Sequence, residues 1–238
     1  MIKAITNKDN KSVKFALSLK ENKYRKEHKK FLAETKKTLE MALRENLVCE
    51  IFTTEWLDVP EEIPQNLVSE DILKKLSSNV NPEGVVFIAK ERETFPESPK
   101  KILFLDHIQD PGNMGTLIRT ALAFNYDLVV ASEESVSFYN EKVINSSKGA
   151  IFAIPTKKGK LSDYKNTHEI IVSALSKDAV ELDKIKFKDS FVLVLGNESN
   201  GVTKEVLELS DKQVIIPIQN IDSLNVAVAG GILMNKIH

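Results

Sequence analysis

Cysteine is almost missing from this sequence of 238 residues. Cys49 stands alone, so neither an internal disulfide nor a cysteine-based metal cluster can form, and a reducing cytoplasm is the expected home. Histidine is nearly as scarce. His28, His107, His168 and His238 are scattered without ligand spacing, which speaks against a metal site. No apolar run approaches the ~18 residues of a membrane-spanning helix. The start, MIKAITNKDNKSVKF, has no apolar segment behind a basic head, so a secretory signal is not expected. Also lacking are G-x-G-x-x-G after an early strand and G-x-x-x-x-G-K-[ST], which leaves little room for a dinucleotide-dependent enzyme or a triphosphate site. Neither an internal repeat nor a low-complexity tract breaks the chain.

What is there begins with charge. The formal net charge of −1 hides an asymmetry. Residues 1–37 hold 12 Lys/Arg against 4 Asp/Glu, whereas residues 38–95 hold 5 against 12. The densest stretch is KENKYRKEHKK (20–30). Such a face is the footprint of a polyanion binder, although a solvated lysine-rich helix has the same composition.

Apolar spacing of three and four residues in VKFALSLKEN and TKKTLEMALREN reads residues 10–45 as helices. Short apolar runs at 47–54, 66–69 and 84–90, with helical fragments between, suggest a small α/β unit. The stretch ERETFPESPKK (91–101), with two prolines among charges, reads as a linker. Domains over 1–95 and 96–238 follow. The second has strand-like runs at 101–106, 127–132, 169–175, 191–196 and 213–218, most of them separated by helical stretches. Strands apolar on both faces predict an α/β fold with a mostly parallel sheet and helices on both sides. Ligands of such sheets sit beyond the strand carboxyl ends.

Three turns fall at those ends. In DHIQDPGNMGTLIRTALAFN (106–125), Asn113 is a competent N-cap for a helix from Met114. Arg119 sits among apolar neighbours, where a guanidinium needs an anion or several acceptors unless it reaches solvent. GNESNG (196–201) has Gly196 and Gly201 for positive φ, and Glu198 between them. IPIQNIDSLNVAVAGGILM (216–234) has Pro217 ending a strand, then a helix starting near Asp222 or Ser223. That helix is almost wholly apolar and should be buried, so Ser223 and Asn225 need partners.

Together, N-x-G-x-x-x-R, L-G-x-E-x-x-G and I-P…S-L-N-V resemble the three motifs of the SPOUT superfamily, and within it the TrmH (SpoU) family of RNA 2′-O-ribose methyltransferases. The resemblance covers 101–238. More weakly, KYRKEHKKFLAETKKTLEMAL resembles the small L30e-like substrate-binding domain of one branch. It implies a deep trefoil knot, a homodimer formed through the C-terminal domain, and S-adenosylmethionine held bent in the knot. Adenine would rest on backbone groups of Gly196, Ile216 and Leu224, an apolar slot rather than a phosphate cradle. The implied catalytic set is Asn113, Arg119, Glu198, Ser223 and Asn225. In the family's scheme the arginine activates the 2′-OH. Guanidinium is not normally deprotonated in proteins, so Arg119 is better cast as a cation facing the alkoxide or a phosphate. The implied partner is RNA, since DNA lacks the 2′-OH; ribosomal RNA is preferred over transfer RNA. Three positions depart from the family. Asn220 stands where glycine is usual, in a loop one residue shorter; Asn145 replaces an arginine expected to touch RNA phosphate; and Thr35 replaces a glycine. The competing reading is a non-catalytic RNA-binding protein that kept the fold.

Overall fold

The computed structural model describes residues 2–5, 7–174, 176 and 179–238. They form two compact units, one of 1–93 with 139–153, the other of 94–138 with 154–238. Tyr139–Ala153, a stretch inside the second domain expected from sequence, therefore clusters with the first unit.

In the first unit β1 (Ile2–Ile5), α1 (Lys11–Ser18), α2 (Asn22–His28), β2 (Lys30–Glu34), α3 (Lys36–Arg44), β3 (Val48–Thr53), β4 (Gln65–Val68), α4 (Glu70–Leu76) and β5 (Val85–Lys90) follow in order. Their five strands make one sheet in the order β1-β4-β3-β5-β2. The expectation of helices throughout 10–45 is corrected at KFLAE. These residues alternate toward the core and pair antiparallel with β5, so cross-strand pairing outweighs the helical look of the flanking lysine-rich segments. Val13, Ala16 and Leu19 pack with Ile72, Leu73 and Leu76 against Phe52, Val86 and Ile88. Later in the chain, α6 (Glu141–Ser147) and α7 (Ala150–Ala153) complete this unit. Phe31 stacks on Tyr139 and Phe152, with centroids 4.6 and 5.7 Å away. Asn145, in α6, donates its Nδ2 to Ser78 Oγ at 2.8 Å, and Ser78 in turn bonds the buried Glu34 carboxylate. Its amide is thus engaged inside the unit.

The second unit contains β6 (Lys101–Leu105), α5 (Pro111–Ala123), β7 (Leu128–Ala131), β8 (Thr156–Lys158), β9 (Glu169–Ser173), β10 (Val180–Glu181), β11 (Phe191–Leu195), α8 (Lys204–Leu209), β12 (Lys212–Ile215) and α9 (Val226–Lys236). Its strands run in the order β10-β12-β9-β11-β6-β7-β8, and every pairing is parallel. Leu175, expected as the last residue of the strand at 169–175, lies outside the described residues. β8 and β10 were not read from sequence, being three and two residues long. Ile102, Phe104, Val192 and Val194 face Val206 of α8 and Leu161 on one side. Their alternates meet α5 and α9 on the other, where Gly230 lies against Leu117 and Leu195. Both faces are covered, which is why these strands are continuously apolar. Near the chain end, Tyr126 donates its hydroxyl to the Ile237 carbonyl at 2.7 Å, and burial pushes the phenol up, so it stays a donor.

Candidate functional site

Because the sheet is parallel, the turns after Leu105, Leu195 and Ile215 leave along one edge. The first is organised by two aspartates. Asp106 is buried and accepts the Thr203 N–H at 2.7 Å, fixing the start of α8. Asp110 caps α5 by accepting the Asn113 N–H at 2.7 Å, and Pro111 takes the first helical position. Asn113 is therefore not the cap expected from sequence. The proline two residues earlier already starts the helix, and this frees the Asn113 side chain.

That side chain joins all three turns. Asn113 Nδ2 donates to Glu198 Oε1 at 2.9 Å, and Asn113 Oδ1 accepts from Asn225 Nδ2 at 3.1 Å. Asn225 Oδ1 in turn accepts the Ala227 and Val228 N–H groups, so Asn225 is the N-cap of α9. The helix start expected near Asp222 or Ser223 is thereby moved to Val226, because Asn225 is itself non-helical at φ −53 and ψ 136 and its side chain caps the turn that follows.

The second turn also differs from its expectation in one glycine. Gly201 has φ 70, but Gly196 is not in the left-handed region. Gly196 is required by crowding instead, since a Cβ there would lie 2.4 Å from Gly201 C and from Val202 N. The loop closes on Asn197, which pairs with Gly201 and accepts the Ser199 and Asn200 N–H groups at 3.0 and 3.1 Å. Sequence reasoning passed over Asn197; an asparagine directly after the strand-ending glycine is an Asx-turn signal that could have found it.

Between the second and third turns lies a cavity of about 500 Å³. Gly196, Glu198, Ile216, Ile218, Ser223 and Leu224 are among its lining residues. Asn113 and Asn225 reach it only through Glu198 and the start of α9. Arg119 does not line it. The guanidinium expected among apolar neighbours is on the exposed face of α5, and among the described residues it makes no hydrogen bond or ion pair. α9 is likewise not wholly buried, because Val228 and Ile232 are 53% and 39% exposed.

The lining fits S-adenosylmethionine. Its volume lies in the range of small-ligand sites, roughly 300–1,000 Å³. Isoleucine and leucine side chains supply apolar walls for a purine. Among the described residues, the backbone groups of 218–224 make no backbone hydrogen bond, so they are free for the edges of a base. The Glu198 carboxylate supplies a negative charge for a cationic donor.

A parallel sheet with such a cavity at its carboxyl edge, and three turns linked by side-chain amides, fits a SPOUT-type RNA methyltransferase, the class that the three motifs resemble. The chain belongs to the SpoU rRNA Methylase family, which matches residues 100–235. Residues 10–86 match the MRM3-like substrate binding domain. The 23S rRNA (guanosine(2553)-2′-O)-methyltransferase RlmP of Bacillus subtilis is 30% identical over 243 residues, covering 98% of each chain. The tRNA (guanosine(18)-2′-O)-methyltransferase of Aquifex aeolicus is 32% identical, but over only 56% of this chain and 66% of its own. Among solved structures, the AdoMet-bound rRNA methyltransferase of Sinorhizobium meliloti superposes with a TM-score of 0.88 at 26% identity, covering 99% of this chain and 97% of that one. The protein is an RNA methyltransferase that uses S-adenosylmethionine.

Proposed function

We propose that the chain methylates a ribose 2′-OH of ribosomal RNA, with the catalytic set Asn113, Arg119, Glu198, Ser223 and Asn225. The observation that carries this reading is the amide chain from Asn225 through Asn113 to Glu198 at the mouth of the cavity. It fixes a carboxylate and two amides where an acceptor sugar must enter. Gly196, Ile216 and Leu224 hold the donor, which supplies a methyl group on a positively charged sulfur when bound. Orientation of the acceptor by these fixed groups is the main catalytic contribution, worth up to roughly 7–11 kcal/mol in well-aligned systems.

The remaining assignments follow the same reading. A homodimer forms through α5 and α9, and the C-terminal helix is threaded through a loop in a trefoil knot. Arg119, exposed in the single chain, is brought to a site by pairing of that face, where its fork steadies the developing alkoxide or a phosphate. Residues 1–95 are the RNA-holding domain, with Lys23, Lys26 and Lys29 exposed on and after α2. The protein works in the cytoplasm. Ribosomal RNA is favoured because the Bacillus relative, which spans both units, is named for 23S rRNA, whereas the Aquifex transfer-RNA relative covers 56% of the chain.

Ribose methylation mapped across the RNA of cells with and without the protein tests this. One ribosomal site should vanish in its absence. Loss of a transfer-RNA site instead transfers the assignment to that substrate, and loss of neither refutes ribose methylation of both RNA classes. In purified form, Arg119→Lys keeps the charge but not the fork and should lower single-turnover methylation about 100-fold. Near-normal turnover in this variant would refute the role given to Arg119.

A further inference from the structure

His107 follows β6 with φ 56, a left-handed turn that histidine enters more readily than most residues. Its backbone is held on both sides. The N–H donates to Ser132 Oγ at 3.0 Å, and the carbonyl accepts from Asn197 Nδ2 at 2.9 Å. Asn197 is the residue that shapes the loop carrying Glu198, through Ser199, Asn200 and Gly201. The imidazole meanwhile faces two carboxylates. Its Nε2 is 3.2 Å from Glu134 Oε2 and 3.9 Å from Asp106 Oδ1. The other charged groups nearby are already engaged. Lys158 of β8 donates to the Ser132 and Ser135 carbonyls at 2.6 Å each, and Glu198 is held by Asn113.

We propose that His107 is a positioning residue for the Glu198 loop: its imidazole, set between Glu134 and Asp106, fixes the left-handed carbonyl that holds Asn197, and so tightens the cavity mouth for S-adenosylmethionine. The inference rests on the cofactor reading of that cavity. The Glu134 carboxyl is held below its usual range first by its own backbone N–H, and then by His107, Ser132 and Lys158. Held between two carboxylates, the ring keeps residue 107 in the turn from which its carbonyl meets Asn197. Without the ring, the turn is left to its backbone hydrogen bonds alone.

Calorimetric titration of the full chain with S-adenosylmethionine tests this. Protection of the Ser199 and Asn200 amides from hydrogen exchange, measured without ligand, gives a second readout. His107→Asn tolerates the left-handed turn but is too short to reach Glu134. Glu134→Gln removes the charge of one partner at a side chain that is 58% exposed, so the fold is not endangered. Both variants should bind roughly 3- to 10-fold more weakly than the wild type, with a parallel loss of protection. Wild-type affinity and protection in either variant overturn the role of His107. Absence of binding by the wild type overturns the cofactor reading itself, and this inference with it.

Discussion

Thr35 caps α3 by accepting the Thr38 N–H at 3.2 Å, yet it does so at φ 81 and ψ 142. A β-branched residue in that region is strained by about 1–3 kcal/mol. Replacing a threonine cap by glycine costs only a few tenths of a kcal/mol, but glycine also gives up more chain entropy on folding. Relief of strain should win by about 1 kcal/mol, so Thr35→Gly should raise the melting temperature by about 2–4 °C in a thermal scan. An unchanged or lower value would mean that the turn is not strained. The substitution was legible in the sequence, since glycine is usual here in the resembled family, but its backbone cost was not. Asn220 takes the place of another usual glycine at φ 68, a conformation that asparagine tolerates. Asn113, Glu198 and Asn225 were named from the sequence, but the way they meet was not legible there. Pro111 starts α5 from Asp110, and this is what turned Asn113 from a presumed cap into the bridge between Glu198 and Asn225.

At the scale of elements, legibility followed the environment of each segment. β6, β7, β9 and β11 lie in the middle of a sheet covered on both sides, so their apolar runs announce them. β2 was hidden because its alternation spans only five residues between two lysine-rich stretches. α9 was recognised as a helix, but an apolar run does not say which side is open. Two adjacent glycines report that side. A Cβ on Gly230 would lie 2.4 Å from Leu117 Cδ2 and 2.8 Å from Leu195 Cδ1, and both leucines are fully packed. A Cβ on Gly231 would meet nothing within 4 Å. Gly230→Ala should therefore destabilise by about 1–3 kcal/mol through overpacking. Gly231→Ala should stabilise by up to about 1 kcal/mol through helix propensity alone. Denaturant titration of the two variants should thus give shifts of opposite sign. Shifts of the same sign would show that α9 does not meet α5 and β11 as described.

For the whole molecule, the question is what covers the open side of α9. Asn225, Val228, Ile232 and Asn235 are exposed at spacings of three, four and three, which makes one stripe leading away from the site. On α5, Thr116, Arg119 and Ala123 are exposed in the same manner. Two large exposed aliphatic side chains on α9, with an exposed guanidinium on the helix packed against it, suit a self-complementary patch, in which each copy buries the other's Val228 and Ile232. No charge belongs in the centre of such a patch. In a lone chain Val228→Glu is a surface substitution, costing within about 0.5 kcal/mol. In a pair it would bury an unpaired carboxylate, a penalty of several kcal/mol for each copy. Sedimentation of the wild type should therefore show a dimer and that of Val228→Glu a monomer, with an unchanged far-ultraviolet spectrum. Methylation should fall with dimerisation, because Arg119 is then stranded on an open surface. RNA affinity, which the proposed function assigns mainly to the lysines of the first unit, should fall much less and keep its steep dependence on salt. A variant that remains dimeric, or a monomer that still methylates, would place the functional face elsewhere on the second unit.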